Sequence, residues 1–585
     1  MTLAKEVQKI FDAQNKSIAD CDRYFYKNGT LAAFDSVAVQ QERRPTALQA
    51  IFDSIGAEHH SDIDNAVRLG VAEYQARNGG DLPDASVIAT ALCSASQLSQ
   101  SLKGDQAKPM FDSIAQIAGF DSMSNQNYEQ AAIVPAMAIV TIASVIANSL
   151  PIVTMLPNPS NSVRVPVVAV RYITDSKFGA MQAGDYLDGA NAGLPYAEGR
   201  FRFKLTSQGK ASYAVTARSA YADFKEKTPD DTAVLLPFLS GNVSIRINGI
   251  EVAHTRADQS SSVASGIVTA MPKRGVAIAG TEYKVISSEI NVDTSEISVT
   301  LNADLPQDAV IEVALVVDFD AKNAQKQHKI NPVGLSLKPE YDNIQSVPIQ
   351  NRITLSYTTQ NQLASELGLG FVGAALVAIQ GKVFLEQNLR LLGEGKERAQ
   401  YNGREYTFDA SRSVAGNLTA AVATFSDLIG RVTATLDLAK LSIRQATGSN
   451  SGFTLYVGNK GTVYFNQLDA SIFKKTGATA AFGEIVRIGT LSDGTDVYHA
   501  PTEYGLLAEE GNAVEALLVG RGSEPTRNPF VGTITEAPTF REAKPDSRDV
   551  EFGSRAQMAA ELNPLSRYAD QVAVISLINL PTLGN

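Results

Sequence analysis

The stretch VPIQNRITLSYTTQNQLASELGLGFVGAALVAIQGKVFLEQNLRLL, residues 347–392, carries the longest helical pattern in the chain. Apolar residues recur there at spacings of mostly three, four or seven, which is the spacing of one helix face. They are Leu363, Leu367, Phe371, Ala375, Val377, Val383, Phe384, Leu389 and Leu392. The pattern predicts a single helix from Thr358 to Gly393, about 50 Å long at 1.5 Å per residue.

The same stretch contains GLGFVG, residues 368–373, which is formally a dinucleotide-binding fingerprint. That motif needs a strand running directly into its first glycine, so that a pyrophosphate meets the start of the following helix. Here the preceding residues are already helical in pattern, so nucleotide binding is not supported. The glycines instead favour close approach of another helix or subunit.

Composition limits the class of protein. The chain has 585 residues, of which 44% are hydrophobic and 19% charged, and its net charge is −11. Its length predicts about three or four domains. The acidic balance argues against a protein that grips nucleic acid over its whole surface, because phosphate binding needs clustered Lys and Arg. A protein that only encloses nucleic acid would tolerate this charge.

The longest uncharged interval lies between Glu129 and Arg164 and includes AAIVPAMAIVTIASVIANSLPIVTMLP, residues 131–157. Pro135 and Pro151 bracket only fifteen residues of it, and polar side chains interrupt that run. A membrane span needs about twenty predominantly apolar residues. We therefore expect a helix buried inside a large fold, followed by an extended segment, and no membrane association.

The first 127 residues are helical and loop-rich in pattern and lack the order of a secretory signal. The chain has two cysteines, Cys21 and Cys93, which are too few for a disulfide framework. Two buried free thiols are the favoured interpretation, and a single bridge is the alternative.

Residues 228–325 have a different character, with short alternating strands. NVSIRINGIEVA alternates around Asn248-Gly249, a strong hairpin signal. The strand spacing predicts an inserted all-β domain of the immunoglobulin-like kind. The Gly-rich residues before it, 173–225, predict a long loop or β-arm.

Further along, a second helix is predicted from about Val414 to Arg444, ending at Gly448. Strands, a short helix and a hairpin at Asp493-Gly494 follow. The closing run QVAVISLINLP is apolar on both faces, which is typical of a central strand in a sheet covered on each side.

Common catalytic and metal-binding motifs are absent: the sequence has no G-x-S-x-G, H-E-x-x-H, Walker loop or C-x-x-C. His59 and His60 are flanked by carboxylates, but adjacent helical residues point in different directions, so we expect solvated surface there. The sequence gives no reason to propose an enzyme, a cofactor or a metal.

The order of the predicted helices and strands, together with several segments of the sequence, resembles that of a known protein family. Residues 347–392, quoted above, resemble the segment that leads into the long "spine" helix of major head proteins of contractile-tailed bacteriophages. FSDLIGRVTATLDLAKLSIRQATGSNSGFTLYVGNKGTVYFNQL (425–468) and NPLSRYADQVAVISLINLP (563–581) are similar to the family's next helix, loop and strand, and to its closing strand. The similarity covers about residues 130–175 and 340–582.

The resemblance implies an α+β protein with the HK97-like capsid fold, built from axial and peripheral domains, an N-arm and an extended loop, with the all-β domain inserted. The implied map is 1–127 N-terminal arm and helical region, 128–175 start of the peripheral domain, 173–225 extended loop, 228–325 inserted β-sandwich, 326–412 loop return and spine helix, 413–545 axial domain, and 546–585 C-terminal strand of the peripheral domain.

It also implies function and partners. A major capsid protein would assemble with itself as hexamers and pentamers into an icosahedral head, in the host cytoplasm, around double-stranded DNA that it does not bind sequence-specifically. A portal vertex, a scaffold and decoration or cement proteins would be partners. The assembly candidates on the spine helix are Leu363, Leu367, Phe371, Phe384, Leu389, Glu386 and Arg390, the last two matching a Glu-x-x-x-Arg-like turn.

Two other classes stay open at this point. A different self-assembling phage protein such as a tail sheath would form helical tubes, because a head-to-tail contact that fails to close gives a filament. A soluble multidomain enzyme with an accessory β domain would need a pocket with convergent titratable groups.

Overall fold

The computed structural model of the chain describes residues 2–27, 30–31, 44–55, 57, 60–101, 138–175, 181–194, 196, 198–218, 235–256, 266–322, 326, 328–329, 334–356, 371–411, 431–448, 450–478, 483–543 and 549–580. The chain forms two compact units. The first comprises Met1–Ala169 and Pro339–Asn585, and the second comprises Val170–Lys338.

Helices belong to the first unit. They are α1 (Thr2–Phe25), α2 (Thr46–Phe52), α3 (His60–Arg77), α4 (Ala85–Ser101), α5 (138–147), α6 (Phe371–Tyr401), α7 (Val432–Thr447), α8 (Asn459–Asn466) and α9 (Ser566–Ala569). Among the helices that the structure describes, none is long and apolar enough to cross a membrane.

Strands occur in both units, so the chain is an α+β protein. The first sixteen are β1 (Tyr26–Lys27), β2 (Thr30–Leu31), β3 (Val153–Met155), β4 (Arg164–Thr174), β5 (Arg200–Lys204), β6 (Thr206–Gly209), β7 (Ser212–Thr216), β8 (Ser244–Ile247), β9 (Ile250–His254), β10 (Ile267–Val268), β11 (Met271–Pro272), β12 (Val276–Ile278), β13 (Thr281–Tyr283), β14 (Val285–Asn291), β15 (Glu296–Leu301) and β16 (Ile311–Val316). The rest are β17 (Leu335–Gln345), β18 (Val347–Ser356), β19 (Glu405–Asp409), β20 (Asn450–Val457), β21 (Phe473–Lys475), β22 (Val486–Leu491), β23 (Asp496–His499), β24 (Glu509–Glu510), β25 (Ala513–Gly522), β26 (Phe530–Ala543), β27 (Asp549–Leu562) and β28 (Val572–Ile578).

An eight-stranded mixed sheet in the first unit follows the order β19-β28-β25-β20-β23-β22-β21, with β24 beside β25. The predicted central strand is confirmed as β28, which lies between β19 and β25. Val572 and Val574 belong to one apolar core, whereas Ala573 and Ile575 belong to another on the opposite face. Alternate residues of a strand point to opposite faces, so a run that is apolar throughout needs cover on both sides.

A second sheet of the same unit has the order β18-β27-β26-β3. β26 and β27 are antiparallel partners from Phe530↔Leu562 to Ala543↔Glu551. The predicted domain boundary at residue 545 is therefore wrong, because it separates the two arms of one hairpin. β27 and β28, the two strands of the predicted segment 546–585, lie in different sheets of the same unit.

The long helix α6 ends later than predicted, at Tyr401 instead of Gly393. The helix continues through Gly395. A Cβ at this position would lie 2.9 Å from Cζ of Phe530, so glycine is needed there for close packing. The stop is Gly403, which has a φ of +64° and donates its N–H to the Gln400 carbonyl at 3.0 Å. A left-handed residue just after a helix is a common C-terminal cap, and glycine adopts it without strain. The predicted helical start at residues 358–370 and GLGFVG up to Gly370 lie outside the described residues.

The described part of the first hundred residues is mainly helical, as predicted, and its helices pack into the first unit instead of extending as an arm. α1 to α4 contribute to the same apolar core as the sheets and α6, through residues such as Phe25, Ile51, Val67 and Leu92. Arg487 of β22 ties the turn after α3 to the sheet: its guanidinium lies 2.7 Å from an Asp81 carboxylate oxygen. The helices are thus part of the folded unit. The predicted free cysteines are confirmed: both lie buried in this region.

The uncharged interval is core, as predicted, over its described part. Ala138, Ile142 and Ile146 of α5 have no measurable exposure. Gly70 of α3 brings that helix close to α5, since a Cβ there would lie 3.0 Å from Cβ of Ile146. Asn148 and Ser149 are compatible with burial because their side chains donate to helix carbonyls, those of Ser144 at 2.8 Å and Ile146 at 2.9 Å. The hydroxyl of Thr141 is buried without a hydrogen-bond partner.

The second unit contains two five-stranded antiparallel sheets, β10-β14-β15-β7-β6 and β11-β9-β8-β16-β5, which share one apolar core. The predicted Asn-Gly hairpin is confirmed: Asn248 and Gly249 have φ values of 50° and 79°. The predicted start of the β domain at residue 228 is wrong, because β5, β6 and β7 of the predicted loop region 173–225 are strands of these sheets. Their alternation is short and lies among glycines, which obscured it.

Candidate assembly surface

From residue 379 onward, where its side chains are described, α6 packs its inward face against the core of the first unit. Phe384, Leu389, Leu391 and Leu392 are buried in its main core. The helix packs on β27 at one end and on β28 at the other. Two of the predicted assembly residues, Phe384 and Leu389, therefore stabilise the subunit itself, and their side chains do not reach a surface.

The outward face of α6 is charged. Lys382 and Glu386, one turn apart, form an ion pair at 3.4 Å. Both contact the Tyr504 hydroxyl: the Lys382 ammonium donates to it, and Tyr504 donates to Glu386 at 3.3 Å. The hydrogen bond with Tyr504 is the largest influence that raises the pKa of Lys382; desolvation opposes it, and the hydrogen bond with Glu386 raises the pKa further. The outer surface of this helix is stable in water without a partner.

Arg390 pairs with the next turn and not with Glu386. Its Nη1 lies 2.5 Å from Glu394 Oε1, and its Nη2 donates to the Ala560 carbonyl at 2.5 Å. The second bond attaches α6 to β27. Of the predicted assembly residues, Glu386 and Arg390 are thus the ones whose side chains the structure places at the surface.

The remaining three predicted residues are not tested. Leu363 and Leu367 lie outside the described residues. Phe371 is the first residue of α6, and its side chain is not described.

The C-terminal end of α6 is fixed by ionic contacts to the eight-stranded sheet and to the loop before β28. Lys396 pairs with Glu515 of β25 at 2.6 Å. Arg398 and Asn402 both donate to Asp570, at 2.6 and 2.9 Å. Charged hydrogen bonds of this kind are short and directional, so the end of the helix is held in one position.

An exposed apolar row on β17 was not predicted from the sequence. Leu335, Leu337 and Tyr341 occupy alternate positions of this strand, and Leu335 and Leu337 are 63% and 62% exposed. Alternate positions point to one face of a strand, so these residues form an apolar stripe. The period-two spacing was present in LSLKPEYDN, but Lys, Glu and Asp between the apolar residues made it resemble a loop.

A second missed feature is on α7. Leu438 and Leu441 are 61% and 52% exposed, although the helix buries Leu436, Ala439 and Ile443 on its other side. The predicted helix end at Gly448 is confirmed, with a φ of 74°. Two exposed leucines one turn apart are an unusual outer face for a helix in water.

A cavity of about 350 Å³ in the first unit is polar, and its titratable groups are already engaged. Asp84 accepts the Ser86 N–H at 2.8 Å and so caps α4. Asp496 pairs with Arg487, which lowers its pKa, but burial raises it more. These contacts hold α4 and β23 in place, and they do not converge on a common point as catalytic groups do.

Other reactive groups in the described ranges are also structural. Burial raises the pKa of the Cys93 thiol to about 11 and that of Cys21 well above its usual value, so both are unreactive at neutral pH. His60 stacks on Phe52 with ring centroids 4.1 Å apart. Within the described residues there is no group of three or more His, Cys, Asp or Glu able to hold a metal ion.

Comparisons with known proteins give structural neighbours only. No protein-family model and no curated protein matches the chain. The capsid of the jumbo bacteriophage PhiKZ aligns at a TM-score of 0.35 and 8% identity, covering 71% of this chain and 89% of that one. The mature capsid of bacteriophage PhiM1 aligns at 0.27 and 12%, covering 46% and 80%. The SrpI encapsulin of Synechococcus elongatus PCC 7942 aligns at 0.26 and 13%, covering 43% and 81%. These neighbours are structural proteins of capsids and encapsulins, not enzymes.

Proposed function

We propose that this chain is a major capsid protein of the HK97-like fold, of the kind found in contractile-tailed phages. It assembles as hexamers and pentamers into an icosahedral head that encloses packaged double-stranded DNA. The protein is then a component of the virion, assembled in the host cytoplasm, and its first partner is itself.

One observation supports the proposal most. α6, which is 31 residues long, lies across two sheets of the same unit, the hairpin sheet of β26 and β27 and the eight-stranded sheet. This is the arrangement of spine helix, peripheral sheet and axial sheet that the resemblance implies, and the elements follow one another in the implied order. In this assignment β18, β26, β27 and β3 form the peripheral sheet, and β28 closes the axial one.

Surface chemistry supports the proposal as well. The exposed apolar stripe of β17 and the exposed leucines of α7 support self-association, since exposed apolar patches normally mark interaction sites. β17 follows the inserted β unit, where the resemblance implies the extended loop. A net charge of −11 suits a container for DNA that does not hold it tightly.

The further partners follow from the same proposal. A shell of this family is built on a portal vertex with a scaffold, and decoration or cement proteins bind its outside. The second unit, the inserted β-sandwich with its immunoglobulin-like strand spacing, is a candidate for contacts with such proteins. Glu386 and Arg390 stay assembly candidates because their side chains reach the surface.

Negative-stain electron microscopy of the purified chain, after size-exclusion chromatography with light scattering, tests the proposal. We expect closed polyhedral shells, or rings of five and six copies, with a mass that is a multiple of the 62.4 kDa subunit. Co-expression with the neighbouring scaffold and portal genes is the second arm if the chain alone stays small.

Other outcomes would overturn it. Helical tubes would favour the tail-sheath alternative, because they result from a head-to-tail contact that does not close. A chain that stays monomeric in both arms would contradict self-assembly and would direct attention to the polar cavity as a ligand site.

A further inference from the structure

α7 presents a continuous seam on the side that faces away from its sheet. The residues of this seam are exposed and separated by four, three and four positions: Ala434, Leu438, Leu441 and Gln445. This is the a/d spacing of a helix that packs against another helix, and the two leucines occupy an a and a d position. The residues that α7 buries in its own subunit lie on the opposite side of the helix. The seam is therefore not used by the subunit core.

The two flanks of the seam differ in charge. Thr435 and Ser442, at the e positions, are small and half-buried. Asp437 and Arg444, at the g positions, are exposed and have opposite charges. Because these two lie seven residues apart, they occupy one line along the helix. The seam thus has a charged flank with one acid and one base, and an uncharged flank.

Both charged residues also have contacts within the subunit. Asp437 lies 3.4 Å from Lys440, whose ammonium is also bound by Asp493, and 63% of the Asp437 side chain is exposed. The guanidinium of Arg444 lies over the Phe453 ring, 5.1 Å from its centroid, and Arg444 is still exposed. Neither contact removes the residue from the surface, so both charges remain available to another chain.

We propose that two copies of this chain pair through α7 in an antiparallel, two-fold contact. Leu438 of each copy then packs on Leu441 of the other, in two equivalent layers. Ala434 and Gln445 form the layers outside them. Antiparallel pairing brings g positions next to g positions, so Asp437 of each copy faces Arg444 of the other.

The pattern selects this arrangement over the others. A parallel pairing places g positions beside e positions of the partner, and the e residues Thr435 and Ser442 carry no charge to match. A head-to-tail contact requires a second, different surface, whereas the seam is complementary to itself, as a two-fold contact requires. Arg431, before the first turn of α7, falls opposite the last turn of the partner helix, where a cation is favourable.

The size of the contact sets its strength. α7 has 16 residues, and one pair of such helices buries less than the ~1,200 Å² of a stable interface. We therefore expect a dimer of the unassembled chain that forms with rising concentration and dissociates on dilution. The pairing goes beyond the capsid proposal, since it concerns copies that have not yet entered a particle.

A mixing experiment tests the pairing. Asp437→Arg and Arg444→Asp each place like charges opposite one another in a homodimer, so each should stay monomeric where the wild type gives twice the 62.4 kDa subunit mass. An equimolar mixture of the two variants restores both opposite-charge pairs and should dimerise as the wild type does. Size-exclusion chromatography with light scattering, over a concentration series of the unassembled full chain, measures the masses. A wild type that is monomeric throughout, or a mixture that stays monomeric, would overturn the inference.

Cross-linking provides an independent test. A two-fold contact brings Leu441 close to its own equivalent, so Leu441→Cys alone should give dimers and no larger species with a short bis-maleimide. Leu69→Cys is the matched control, since Leu69 on α3 is also an exposed leucine, and it should give monomer only. The wild type gives the background, because Cys21 and Cys93 are buried. Monomer only from Leu441→Cys, or a ladder of higher species, would contradict the two-fold contact.

The two proposals fail independently. Closed shells from a wild-type chain that never gives the dimer would refute this contact and leave the capsid proposal intact. A dimer that never yields particles, with scaffold and portal present, would support the contact and refute the capsid proposal.

Discussion

α6 and α7 cover opposite faces of the same eight-stranded sheet, yet their outer surfaces have opposite chemistry. α6 contributes to the core that contains Val572 and Val574, and α7 to the core that contains Ala573 and Ile575. Outward, α6 presents a line of ion pairs, whereas α7 presents two leucines. Burial inside the subunit explains the large apolar side chains described on α6 except Tyr401 at its last position, which is 85% exposed, but it does not explain Leu438 and Leu441 of α7.

The difference separates residues that make the subunit fold from residues that are available to other copies. The free energy of folding depends on the apolar area that the chain buries by itself, and an exposed leucine adds almost nothing to it. A mutation of a core residue should therefore lower the free energy of unfolding, whereas a mutation of an exposed leucine should affect assembly.

The largest effect on stability is expected where a core leucine is removed. Leu392→Ala on α6 should lower the free energy of unfolding by about 2–5 kcal/mol, because Leu392 is completely buried and a cavity remains. Leu438→Ala on α7 should change it by less than about 0.5 kcal/mol. Denaturant unfolding of the unassembled chain measures both. Equal losses of unfolding free energy would mean that Leu438 of α7 packs within its own subunit.

The next effect concerns the buried ion pair that joins α7 to the β22–β23 turn. Lys440 is nearly buried and bonds to Asp493. Burial works to raise the pKa of Asp493, but the hydrogen bonds from Lys440 and Thr495 outweigh it, and the pKa is lowered. Lys440→Met leaves a partly buried carboxylate unpaired and should cost about 3 kcal/mol at pH 7.

The pH dependence of that cost has a definite sign. Because the folded pKa of Asp493 is lowered, the stabilisation is present above the unfolded carboxyl pKa of about 4 and is lost as the pH falls through the folded value. The advantage of the wild type over Lys440→Met should shrink between pH 5 and pH 2 in thermal unfolding. The combination Lys440→Met with Asp493→Asn is the control and should lose less at pH 7. An advantage that does not change with pH would refute the ionic account.

Two glycines of α6 sharpen the comparison within one helix. A Cβ at Gly395 would lie 2.9 Å from Phe530 and 3.3 Å from Val572, whereas one at Gly381 would meet nothing within 4 Å. Gly395→Ala should destabilise by about 1–3 kcal/mol through overpacking. Gly381→Ala should stabilise by about 0.5–1 kcal/mol, since alanine favours helix. Thermal unfolding of the two variants side by side checks this, and two shifts of the same sign would contradict the packing account.

The smallest effect is expected on the outer face of α6. Glu386→Gln removes one exposed ion pair and should change the free energy of unfolding by less than about 0.5 kcal/mol. Its effect on assembly is the informative result. Particle yield of Glu386→Gln at low and high salt tells whether this charge also contacts a neighbouring copy, and an unchanged yield in both would remove Glu386 from the assembly candidates.

The sequence predicted the elements whose pattern is local. β28 is apolar throughout because both its faces are covered, and the Asn248-Gly249 turn needs two residues with positive φ. The helix end at Gly448 follows the same logic. Each of these depends on neighbours within a few residues, which periodicity and turn chemistry capture.

The errors arose where distant partners decide. Gly393 and Gly395 resemble a helix end, but α6 continues through both. Position 395 is a glycine because Phe530, far away in sequence, leaves no room for a side chain. The hairpin of β26 and β27 was divided because its pairing is not visible in either strand alone. The exposure of Leu438 and Leu441 on α7 could not be predicted from the sequence, since spacing indicates which residues share a face and not which face is covered.

A cryo-electron microscopy reconstruction of the assembled particles tests the central claim most directly. The account predicts a closed icosahedral shell of pentamers and hexamers, in which the core residues of α6 stay inside each subunit. A helical tube, or a chain that gives no particles with its scaffold and portal present, would contradict it.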